Sequence, residues 1–250
     1  MTEQERYLFD LQGFLVVPNA LSRATIDQLN CTMDAKIAES CPIDMRTRRF
    51  VGLLRWDSAY RNLIDNPSVV PYLEELLGEQ FRLDHDYSDI IRAGKGPIGT
   101  TLHGAGTPFN PSMYYRFANG QMHNGLTVVA YNLKDVNSGD GGFGCVPGSH
   151  KSNYCFPDEW RELENSQPFI TNITGPAGTA IIFTEALTHG TLPWHGADER
   201  RTLFYKYSPH PVSWAASYYD DTVFNDLSDR QRSILEPPNA RYGNRKSGLK

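Results

Sequence analysis

The sequence predicts a mainly β protein with flanking helices, its core a double-stranded β-helix of the jelly-roll, cupin-like kind. Three observations point there. From Gln80 the hydrophobic period changes to two, with Phe81, Leu83, His85 and Tyr87 alternating with Arg82, Asp84 and Asp86. Short apolar runs then recur at 81–92, 99–103, 126–133, 142–147, 169–173, 179–183 and 202–207, punctuated by Gly, Pro, Asn and Asp. Ahead of them lie stretches whose apolar residues fall at helical spacing.

In chain order, Glu3–Gln12 reads as a short helix that Gly13 breaks, and Phe14-Leu15-Val16-Val17 as a short strand. Ser22 suits a helix N-cap, and Ile26, Leu29, Met33 and Ile37 then form one apolar stripe ended by Cys41-Pro42. Residues 45–56 hold four arginines, Arg46, Arg48, Arg49 and Arg55. They read as a solvated loop and helix edge, with capture of an anionic substrate as the alternative. Residues 67–77 read as a further helix, closed by Gly78. The expectation is a single domain over residues 1–250, with N-terminal helices in 1–80, the β core at about 81–209 and a C-terminal extension at 210–250. The end, 239–250, is basic and expected to fray.

Hydrophobic residues make up 40% of the chain, enough for a full core. A net charge of −5 implies no basic face for a nucleic-acid polymer. No run approaches the ~18 apolar residues of a membrane span, and the start is polar and acidic, so a cytoplasmic location away from membranes is expected. Cys31, Cys41, Cys145 and Cys155 lack Cys-x-x-Cys spacing and read as free thiols.

His189 follows one apolar run, and Arg200 opens the next. A histidine at a strand end can ligate a metal, and an arginine at the next strand can grip a carboxylate with two hydrogen bonds. His103 sits where another run enters a Gly/Pro turn, and two such histidines can meet at one mouth of a jelly roll. Taken singly, each feature has a plainer reading as a polar turn residue or a solvated strand end. His150 reads as a turn residue bonded to backbone, and His195 as a loop residue.

The opening Gly13-Phe14-Leu15-Val16-Val17-Pro18, the corner Gly141-Gly142-Phe143 with Val146-Pro147-Gly148-Ser149-His150-Lys151, and His189-Gly190 with Arg200 together resemble the phytanoyl-CoA dioxygenase (PhyH) family. The resemblance spans about residues 5–209. It implies an enzyme that uses iron(II), 2-oxoglutarate and O2, with iron on His103 and His189. It also implies Arg200, rather than Arg201, on the cosubstrate's far carboxylate, and Thr100 or Thr191 adding a hydroxyl there. The family pattern His-x-Asp/Glu places an acid two residues after the first histidine, where this chain has Ala105.

Three consequences compete. Chloride takes the place of the missing acid at Ala105, as in related halogenases with His-x-Ala or His-x-Gly, and the enzyme chlorinates an unactivated C–H of a small free-standing metabolite. Or a carboxylate from elsewhere completes an ordinary hydroxylase, with Asp84, Asp86, Asp89 and Asp140 as spare acids. Or the site has decayed and a non-catalytic β-sandwich binding protein remains. The halogenase is the leading expectation. Arg46, Arg49, Arg92, Tyr114 and Asn124 would suit a small anionic aromatic substrate such as a nucleotide, and no carrier protein is expected.

Overall fold

The computed structural model describes residues 1–94, 101–163 and 167–239. Its first elements are α1 (Glu3–Gln12), β1 (Phe14–Val17), α2 (Arg23–Ser40), β2 (Thr47–Val51), α3 (Ser58–Arg61), α4 (Val70–Leu77) and β3 (Phe81–Ile91). The core continues with β4 (Tyr115–Ala118), β5 (Gln121–Asn124), β6 (Thr127–Asn132), β7 (Gly142–Cys145), β8 (Thr171–Asn172), β9 (Ala180–Thr184), β10 (His189–Leu192) and β11 (Arg200–Pro209). A last helix, α5 (Asp229–Leu235), follows.

Six strands pair antiparallel in the order β1-β9-β6-β11-β3-β2, and a second sheet has the order β10-β7-β8. The two sheets close on one apolar layer containing Val128, Ala130, Phe143, Cys145, Ile181, Phe183 and Phe204. The alternate residues of the same strands, among them Val129, Tyr131, Ile182, Leu203, Tyr205 and Tyr207, pack outward against Leu29 and Met33 of α2 and Tyr60 of α3. Period two thus gives the large sheet two buried faces, which is why β6 and β9 read as unbroken apolar runs. Leu29 and Met33 are wholly buried, each worth roughly 1.5–3 kcal/mol of transfer free energy.

Several expectations change here. The arginine-rich segment is partly a strand: β2 pairs with β3 at the sheet edge, burying Phe50 and leaving Arg48 and Arg49 exposed. Charged side chains suit such an edge because they discourage pairing with another chain. A hairpin, β4–β5, turns on Asn119 and Gly120 at φ 54° and 76°, a two-residue turn of a kind that Asn-Gly favours. In the C-terminal extension, α5 is held by a capping box between Ser228 and Gln231. Of the run 99–103, residues 99 and 100 lie outside the described residues; 101 and 102 form no strand, and His103 makes only an isolated bridge to His189. Among the described residues, no helix is long and apolar enough to cross a membrane.

The same alternation decides what faces the space between the sheets. On β11, Arg200, Phe204 and Lys206 line a cavity, whereas Leu203 and Tyr205 face the helices. On β3, Asp89, Tyr87 and His85 stand opposite Thr202, Phe204 and Lys206 and share their face. The register then slips: Lys206 pairs with His85 but Tyr207 with Leu83, so Asp84 is the extra residue of a β-bulge.

Candidate metal centre

The cavity between the sheets measures about 750 Å3. At its inner end His103, Glu185 and His189 converge, one ligand atom from each lying within 4.8 Å of the others. Local structure brings them there. β9 ends at Thr184, and a short turn, with the Leu187 amide donating to the Thr184 carbonyl at 2.9 Å, leads to His189 at the start of β10. Glu185 and His189 therefore flank one turn. His103 is tied to it by reciprocal backbone hydrogen bonds with His189, 2.9 and 2.8 Å long. Gly104 presses against the turn: a Cβ there would stand 2.3 Å from the Leu187 carbonyl oxygen, so only glycine fits.

Both imidazoles are oriented for coordination. His103 Nδ1 lies 3.0 Å from the Thr101 carbonyl, and His189 Nδ1 lies 2.7 Å from the Leu187 carbonyl. A carbonyl only accepts, so each Nδ1 carries a proton, and in a neutral ring Nε2 is then the atom with the lone pair. The rings sit 4.2 Å apart, centroid to centroid. Burial lowers His189 to about 4, despite the Glu185 carboxylate beside it, so the ring is neutral at physiological pH, as a ligand must be. Burial alone would raise the Glu185 carboxyl, but the Lys206 ammonium and His189 overcome it and hold it at about 2. Lys206 donates directly to Glu185.

Arg200 and Arg201 part company, as consecutive strand residues must. Arg201 points outward and is bound by Glu199, Asp34 and Asn30. Arg200 lines the cavity at 2% exposure, and its Nε and one terminal nitrogen have no protein partner. Burial lowers it to about 10, still protonated at neutral pH. A buried guanidinium without an acceptor is costly, and in a cavity it invites an anion. Gly142 makes room for it, since a Cβ there would stand 3.1 Å from the Arg200 Nε. Thr191 lines the same cavity, while Thr100 lies outside the described residues.

Ala105 follows His103 and Gly104 in the chain, but of the three the cavity lining includes only those two. Its φ is 143°, a conformation that costs a non-glycine residue about 1–3 kcal/mol. The acids considered as spares are all engaged elsewhere. Asp84 pairs with Arg82, Asp86 accepts from Tyr219, Asp89 pairs with Arg49, and Asp140 binds the Asn137 amide. The acid at the cluster is Glu185, which the sequence analysis did not consider. Its one signal is an acid set in an apolar run, Phe183-Thr184-Glu185-Ala186-Leu187, where a buried charge needs a partner.

The expected substrate residues mostly lie elsewhere. Arg49 lines the cavity but is already bound to Asp89 by two 2.8 Å hydrogen bonds. Arg92 binds Glu199 and the Pro42 carbonyl, and Arg46 reaches the Arg92 carbonyl. Tyr114 and Asn124 line a separate surface groove beside α4. Arg46 and Arg92 are absent from the cavity lining, and Arg49 is ion-paired on it, which weakens the case for an anionic substrate. His150 is buried in a 3-10 turn and bonds the Asp10 carbonyl at 3.1 Å, away from the cluster. His195 is exposed in the turn before β11.

The model of the phytanoyl-CoA dioxygenase (PhyH) family matches residues 9–202. The chain belongs to that family. Members of the phytanoyl-CoA dioxygenase family are iron(II)/2-oxoglutarate enzymes, and the jelly-roll core with its paired histidines is of that kind. Solved structures agree on the fold. HygX from Streptomyces hygroscopicus with nickel and 2-oxoglutarate bound has a TM-score of 0.77 at 22% identity, covering 86% of this chain and 90% of that one. HygX with iron bound gives 0.70 at 22% identity over the same shares. The non-heme alpha ketoglutarate dependent epimerase SnoN, from nogalamycin biosynthesis, gives 0.61 at 16% identity, covering 84% of this chain and 83% of its own. A comparison with curated proteins gives no match.

Proposed function

We propose that the protein is an iron(II)/2-oxoglutarate-dependent oxygenase that hydroxylates an unactivated C–H bond of a small molecule. The observation behind this is the donor set: two imidazole Nε2 lone pairs and one buried carboxylate at a single point of the cavity wall. Two histidines and a carboxylate, with other positions open, suit non-heme iron(II). In this reading His103, Glu185 and His189 hold the metal. Arg200 is the free cation that 2-oxoglutarate's far carboxylate needs, and Thr191 is placed to add a hydroxyl bond. The chemistry the bound pair supplies is activation of O2, with 2-oxoglutarate decarboxylated to succinate and an oxygen atom delivered to the substrate. The chain's part is positioning: Thr101 and Leu187 orient the rings, Lys206 keeps Glu185 ionised, and Phe143, Phe183 and Phe204 keep the inner cavity dry.

A second reading, chlorination, has one observation in its favour: Glu185 is already bound to Lys206. If that ion pair persists, a coordination position stays free for chloride beside His103 and His189. The first reading is favoured because a carboxylate, Glu185, lies with the two histidines where an acid ligand is needed. Anaerobic addition of iron(II) and 2-oxoglutarate, followed by O2 and assay of succinate, tests both readings. Succinate formation that ignores chloride supports the oxygenase, and a chloride requirement supports the halogenase. No succinate under either condition contradicts both.

A further inference from the structure

The same cavity holds a second organised group, distant in sequence from His103, Glu185 and His189. The bulge in β3 places Asp84 and His85 side by side, and His85 Nδ1 lies 2.7 Å from the Asp84 carboxylate. Asp84 is wholly buried and well filled with donors. It also accepts from Arg82 at 2.8 Å, the Trp214 amide at 2.9 Å and the Ala215 amide at 3.0 Å. A carboxylate so placed only accepts, so His85 Nδ1 is the donor and, in the neutral ring, Nε2 is left as an acceptor. The imidazole is further clamped by stacking on Trp214, with centroids 4.9 Å apart, and on Tyr87, at 6.2 Å. His85, Tyr87, Trp214 and Tyr218 all line the cavity. Bulges of this kind recur where a strand must re-aim a side chain at a site.

We infer that His85 is the substrate's hydrogen-bond acceptor, and that the substrate is a ring compound presenting an O–H or N–H to His85 Nε2 while lying against Trp214. This rests on the function proposed above. Asp84 is a positioning residue, since it acts only by fixing the tautomer and angle of His85. The chemistry of the wall narrows the class. Arg49 is neutralised by Asp89, and Lys206 by Glu185, so apart from Arg200, reserved for the cosubstrate, the wall described here offers no free cation. A phosphorylated substrate therefore fits poorly, and a neutral or amino-bearing ring fits well. The exposed indole of Trp214 and phenol of Tyr218 give such a ring a flat apolar rest.

Two matched probes test this: 2-naphthol, which carries a ring O–H, and 2-methoxynaphthalene, in which a methyl group replaces the proton. Both are titrated calorimetrically into the full chain loaded with nickel(II) and 2-oxoglutarate. The wild type should bind 2-naphthol about fivefold to tenfold more tightly, the weight of one hydrogen bond. His85→Phe, which keeps a stacking ring, should bind both probes equally. His85→Gln, which restores an acceptor, should recover part of the preference. Trp214→Ala should weaken both probes alike. Equal binding of the two probes by the wild type, an undiminished preference in His85→Phe, or no binding of either probe overturns the inference. Nickel and 2-oxoglutarate binding, measured in the same loading step, reports on the proposed function alone, so the two failures are told apart.

Discussion

Glu185 and His189 lie four residues apart, on either side of the turn joining two strands of different sheets, and their ligand atoms come within 4.8 Å of each other and of His103. In the family pattern the acid follows the first histidine by two residues. Here an acid precedes the second histidine by four and lies beside both histidines.

If Glu185 is a ligand, Glu185→Gln should weaken iron(II) or nickel(II) binding by at least about 10-fold, the lower end of what even an outer-shell loss costs. Thermal stability should fall as well, because Lys206 loses its buried partner, so affinity is measured at a temperature where the variant is folded. Isothermal titration with nickel(II) measures it, and unchanged affinity would show that the carboxylate belongs to Lys206 alone.

Ala105 offers a separate test. Ala105→Asp should create no new metal ligand and leave metal affinity within about twofold, because residue 105 is off the cavity wall. Ala105→Gly should relieve the φ of 143°, offset in part by glycine's greater freedom when unfolded. A gain of about 1 kcal/mol, or a Tm rise of roughly 2–4 °C, is expected in calorimetry.

The two adjacent arginines should separate function from stability. Arg200→Met should remove an unpartnered buried charge, holding or raising the Tm of the free protein while reducing 2-oxoglutarate affinity by 100-fold or so, as loss of a charge-assisted pair implies. Arg201→Met should cost roughly 1–3 kcal/mol through its lost bonds to Glu199, Asp34 and Asn30, with Glu199 keeping Arg92 and 2-oxoglutarate affinity kept. Urea unfolding and cosubstrate titration on both variants decide it. Loss of 2-oxoglutarate binding in Arg201→Met instead would reverse the assignment.

Acid should destabilise the metal-free protein in two overlapping windows. His189 is lowered from 6.5 to about 4, so between those values the unfolded chain binds more protons and stability falls as pH drops. Glu185 is lowered from 4.5 to about 2, so its contribution is present above 4.5 and lost on descending towards 2. His150, also lowered to about 4 by burial, adds to the upper window. His189→Phe should therefore flatten part of the slope between pH 6.5 and 4 in urea titrations. An unaltered slope would mean that His189 is not held neutral.

The fold was legible because alternation and turn chemistry are local. Phe81 to Tyr87, the run at 179–183 and the Ser22-capped stripe each state their own structure. The paired histidines and Arg200 were legible because each sits where an apolar run meets a Gly/Pro turn in the sequence. Glu185 was not, since no spacing links it to His103, 82 residues earlier; only the closed turn beside Gly104 brings them together. The arginines of 45–56 misled for the opposite reason. Their charge is visible in sequence, but the partners that cancel it, such as Asp89 for Arg49, come from register between strands.

The most direct test is a crystal structure of the protein with nickel(II) and 2-oxoglutarate, supported by anomalous scattering from the metal. The account requires nickel bonded to His103 Nε2, His189 Nε2 and a Glu185 carboxylate oxygen, with the cosubstrate's far carboxylate on Arg200. A metal bonded to the two histidines alone, with Glu185 still on Lys206 and chloride at the free position, would contradict it.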